Sequence, residues 1–71
     1  MNYLFKALIA KLEGEIEVAK ANAMVYQKNA SGIGEHPDIV EAIESQVAKV
    51  AEAQDKIDTS KKQFATWEGN Y

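Results

Sequence analysis

The chain has 71 residues, a net charge of −3 and no cysteine, which leaves room for one domain and excludes a disulfide framework. Apolar residues at 46% and charged residues at 27% mark a folding chain rather than a disordered one. One histidine without cysteine lacks the ligand set of structural zinc, and eight lysines without an arginine, interrupted throughout by acidic residues, argue against a nucleic-acid-binding face.

A domain this small buries only about 60% of the surface its unfolded chain exposes. Small scaffolds therefore need a further source of stability. With disulfides and zinc set aside, oligomerisation is the expected one.

The first predicted element is a helix over about residues 2–30. Apolar positions spaced by three and four pick out Met1, Phe5, Leu8, Leu12, Ile16, Ala19, Ala23, Tyr26 and Ala30. Two consecutive steps of four, Leu8 to Leu12 to Ile16, predict a local relaxation of the supercoil. Gly14 lies inside that interval, marking a bend, a close helix approach or a tolerated surface glycine. Leu4, Ile9, Val18 and Val25 flank the stripe and widen it beyond what one partner helix covers. The run Tyr3 to Leu12, broken by Lys6 and Lys11, falls far short of the roughly 20 apolar residues of a bilayer span. It also lacks the charged start and cleavage site of a signal peptide. A soluble, cytoplasmic chain is expected, with no membrane partner.

A loop follows over residues 31–36, Ser31-Gly32-Ile33-Gly34-Glu35-His36. Gly32 or Gly34 is expected to cap the first helix in a left-handed conformation. The loop has neither the lysine nor the preceding strand of a phosphate-binding loop. His36, between Glu35 and Asp38, has the chemistry of a proton switch or a metal ligand. One imidazole beside carboxylates is not a tight transition-metal site, so shaping the loop and helix start is the favoured role. Pro37 suits the first helical position.

The second helix is predicted over about residues 37–67, ahead of a short tail. Ile43, Val50, Ile57 and Phe64 repeat every seven residues; Val40 and Val47 continue one flank, Ile39 and Ala53 the other. Gln54 and Lys61 interrupt the first flank. Asp38 and Glu41 in the first turn and Lys61 and Lys62 near the end complement the helix dipole. Asp58 has either lysine within pairing distance.

Two such helices joined at the loop form an all-α antiparallel hairpin, one domain over residues 1–71. The expected register sets Ala23 against Ile43, Ala19 against Val47 and Ile16 against Val50. Homodimerisation into a four-helix bundle would cover the surplus apolar surface. The expected self-association seam is Phe5, Leu8, Leu12, Ile16, Ile43, Val47, Val50, Ile57 and Phe64. At the open end the same count brings Tyr3 and Phe5 toward Phe64, Trp67 and Tyr71, and Tyr3, Trp67 and Tyr71 are a candidate partner surface, the alternative being closure of the bundle. Glu13 and Glu17 share a helix face, but the Glu-x-x-His pairs of di-metal bundles are missing.

No cofactor, metal or catalytic constellation is expected, and an enzyme is the weakest class. The leading reading is a non-enzymatic structural or protein-interaction module that self-associates through its apolar helix faces, a dimer being favoured. A small regulator or inhibitor binding another protein is the alternative. A nucleic-acid accessory factor ranks third.

The stretch Gly32-Ile33-Gly34-Glu35-His36-Pro37-Asp38, followed by Val40-Glu41-Ala42-Ile43-Glu44, resembles small helical-hairpin proteins of marine tailed phages. The resemblance implies no activity. It implies an accessory protein acting on a host component or on the virion, with the host cytoplasm as its setting.

Overall fold

The structure, a computed structural model, describes residues 2–29 and 36–65. Two helices make up these residues, α1 (Tyr3–Asn29) and α2 (His36–Phe64), packed side by side as an antiparallel hairpin. The molecule measures 56 × 15 × 11 Å. Its radius of gyration is 16.3 Å, against about 11 Å for a compact chain of this length.

Helix α1 begins at Asn2, whose Oδ1 accepts hydrogen bonds from the amides of Leu4 and Phe5 at 2.9 and 3.1 Å. These are two of the four donors that a helix start leaves unpaired, and asparagine is among the best residues for that position. The Asn2 carbonyl then accepts the first helical bond, from Lys6. The Asn2 side chain is buried and its Nδ2 has no hydrogen-bond partner. Helix α2 carries Asp38 in its first turn and Lys61 and Lys62 in its last, the charge placement that its dipole favours.

The line of contact follows an unbroken alternation of three- and four-residue steps on both helices. On α1 it runs through Asn2, Phe5, Ile9, Leu12, Ile16, Ala19 and Ala23, all buried or half-buried. On α2 it runs through Ile39, Ile43, Gln46, Val50, Ala53, Ile57, Ser60 and Phe64, likewise withdrawn from solvent. Leu12, Ala53 and Ile57 form the centre, with Ile9 and Ile16 packed against them. Such a pattern keeps one seam facing the partner helix along its whole length.

Two expectations change here and an open one narrows. Ile9, rather than Leu8, fills the step between Phe5 and Leu12, so the predicted relaxation at Leu8–Leu12–Ile16 is absent; Leu8 is 38% exposed. Gly14 marks no close approach, since a Cβ built there would meet nothing within 4 Å. The register nearer the loop is shifted: Asn22 donates to Gln46 Oε1, at 3.4 Å, rather than facing Glu44. At the open end Phe5 meets Phe64 as expected, the rings stacked with centroids 5.1 Å apart and planes at 19°.

Candidate functional site

Within one hairpin the expected seam residues divide into two groups. Leu12 and Ile57 are buried, and Phe5, Ile16, Ile43, Val50 and Phe64 are half-buried against the partner helix. Leu8 and Val47 lie outside this contact, on the surface. Tyr3 is exposed, whereas Phe5 and Phe64 bring two aromatic rings together at the open end. Trp67, Tyr71, Gly32 and Gly34 lie outside the described residues, as do the side chains of His36 and Pro37.

One side of the hairpin is hollowed into an open groove of about 630 Å³. It is lined by Val18, Ala19 and Asn22 of α1 and by Gln46 and Ala53 of α2. Gly14 widens it by leaving its own position empty. Lys11 and Glu15 form one rim and Lys49, Glu52 and Lys56 the other. Two ion pairs run along these rims, Lys11 with Glu15 and Lys56 with Glu52, each one helical turn apart. The hydrogen bond from Lys11 Nζ holds the Glu15 carboxyl below the usual glutamate range, helped by the charges of Lys11 and Lys56.

Chemically the groove combines apolar and amide side chains with charges of both signs. Among the described residues no group of three His, Cys, Asp or Glu side chains could hold a metal ion. Glu17 pairs with Lys20 on the solvent side. Asp58, expected to pair with Lys61 or Lys62, instead accepts from Gln54 Nε2 at 3.1 Å. No described helix is long and apolar enough to cross a membrane.

The surplus apolar residues fall on two opposite sides of the seam. Leu4, Lys11, Val18 and Val25 recur every seven residues along the groove side of α1, with Leu8, Glu15 and Asn22 beside them. Leu4, Leu8, Val18 and Val25 are all exposed. On α2 the groove side carries Lys49, Glu52 and Lys56, while Val40 and Val47 look out from the other side. Sequence reading placed Leu4, Val18 and Val25 correctly as a flank but did not anticipate the groove. The signal was present: an apolar line at sevenfold spacing on α1 has no counterpart on the same side of α2.

Compared with known proteins, the chain matches no family model, no curated protein and no solved structure.

Proposed function

We propose that this protein is a non-enzymatic helical module whose activity is self-association, two hairpins burying their exposed flanks against each other as a homodimeric four-helix bundle. The observation that carries this reading is the mismatch between apolar content and burial. Among the described residues five hydrophobic side chains are buried, while nine large ones, from Tyr3 to Val47, stay at the surface. The accessible surface is 5332 Å². A compact monomer of 7.8 kDa would expose about 4,400 Å². The elongated hairpin thus leaves more surface open than a compact chain of its mass.

Absolute mass by light scattering, across a hundredfold range of concentration, tests the proposal. The expected mass is twice that of the 7.8 kDa chain. A monomer at every concentration would refute it, and would turn the same flank into a surface for a different protein, in line with a small regulator.

A further inference from the structure

The groove side of α1 carries a second three-and-four stripe: Leu4, Leu8, Lys11, Glu15, Val18 and Asn22. Its apolar members are exposed at both ends and its charged pair sits between them. Read in the reverse direction, the stripe complements itself. Antiparallel pairing that sets Leu8 against Val18 of a second copy also sets Lys11 against the copy's Glu15, and Glu15 against its Lys11. Leu4 then meets Asn22.

Sliding the two helices by one heptad destroys the match. In one direction Glu15 falls opposite Val18; in the other it falls opposite Leu4. Of these three registers only the first sets Leu8 on Val18 and lysine on glutamate, and it is symmetric about the level of Glu13.

Resting on the self-association reading, we infer that the dimer forms by α1 packing antiparallel on α1 of the second copy, on a two-fold axis level with Glu13. Leu8 and Val18 form the apolar layers, and Lys11 and Glu15 exchange their partner within the helix for one across the axis. An isologous contact of this kind uses each residue twice, so the surface needs to be complementary only to itself. The ion pair sets register and excludes wrong alignments, the part that charged groups play best at interfaces. Gly14 stands beside the axis and presents no side chain to the approaching helix.

Complementary charge reversal tests the axis. In Lys11→Glu every layer near the axis becomes glutamate on glutamate; in Glu15→Lys it becomes lysine on lysine. Each variant alone is expected to dimerise at least about 10-fold more weakly than the parent, with helical circular dichroism retained because both side chains are exposed. An equimolar mixture restores lysine against glutamate and is expected to return the dimer mass.

The outcomes are separable. If the parent is monomeric, self-association and this axis fall together. If the parent is a dimer and the variants stay dimeric, or the mixture fails to recover, the axis is wrong while self-association stands. A second variant guards against loss of folding. Leu8→Cys with Val18→Cys, in a chain with no other cysteine, is expected to oxidise to a covalent dimer. The two positions lie about 15 Å apart along one helix, too far to bridge within a chain. Absence of the covalent dimer under oxidation overturns the axis.

Discussion

Replacement of Leu12 by alanine is the sharpest probe of the hairpin seam. Leu12 is the most enclosed large side chain, 2% exposed, and it packs with Ala53 and Ile57. Truncating a fully buried leucine costs about 2–5 kcal/mol. Two helices with open sides can close partly over the gap, which argues for the lower half of that range, about 3 kcal/mol. A 71-residue chain has roughly 4–10 kcal/mol of stability in all, so this one change removes a large share of it. At about 2.1 cal/mol/K of unfolding entropy per residue, 3 kcal/mol corresponds to a fall in Tm of about 20 °C. Val18→Ala is the control on the same helix. Val18 is 61% exposed, so at concentrations too low for association its loss should cost under about 1 kcal/mol. Urea and thermal melts followed by circular dichroism read both variants. A loss below about 1 kcal/mol for Leu12→Ala, or equal losses for the two, would refute the seam.

Two further outcomes follow from single positions. Gly14→Ala should raise stability by about 1 kcal/mol, or about 7 °C in Tm, because the added Cβ meets nothing; a lower melting temperature would show that the position is occupied. Glu15 is held below the usual glutamate range first by the hydrogen bond from Lys11. A carboxylate with a lowered pKa contributes stability above the ordinary glutamate range and loses it as pH falls through its own pKa. In an NMR titration Lys11→Met should therefore raise the Glu15 pKa, and raise it more than Lys56→Met does; the reverse order would refute the assignment of cause.

Much of this architecture was legible in the residues, and the parts that were not have particular reasons. Ile43, Val50, Ile57 and Phe64 announce α2 because all four are large and seven apart. The companion line Ile39, Gln46, Ala53 and Ser60 is buried as well, but glutamine and serine hide it. Val40 and Val47 have more apolar side chains than Gln46, yet they sit one position too far round the helix. On α1, Leu8 and Ile9 are adjacent and both fit a three-or-four spacing; only continuity with the facing helix decides for Ile9. The meeting of Phe5 with Phe64 at the far end was legible, but the register nearer the loop was not, because a count from the turn fixes pairing only to within a few residues and the contact there joins two polar side chains, Asn22 and Gln46. The cap at Asn2 has a readable signature, an asparagine just ahead of an apolar run. The groove depends on which side of the seam each flank falls, and therefore on the seam itself.

The single line of contact between α1 and α2 also sets an order of assembly. Every pairing of the two helices closes a loop through the same connection, and the loop lengthens steadily with distance from it. Asn22 and Gln46 are 24 residues apart, whereas Phe5 and Phe64 stand at opposite ends of the described chain. Loop-closure entropy rises by only about 0.8 kcal/mol between these extremes, but each inner contact shortens the loop left for the next. The hairpin is a zipper with its slider at the turn. Folding should run outward from Asn22 and Gln46, with the phenylalanine stack as its last tooth and the first to open.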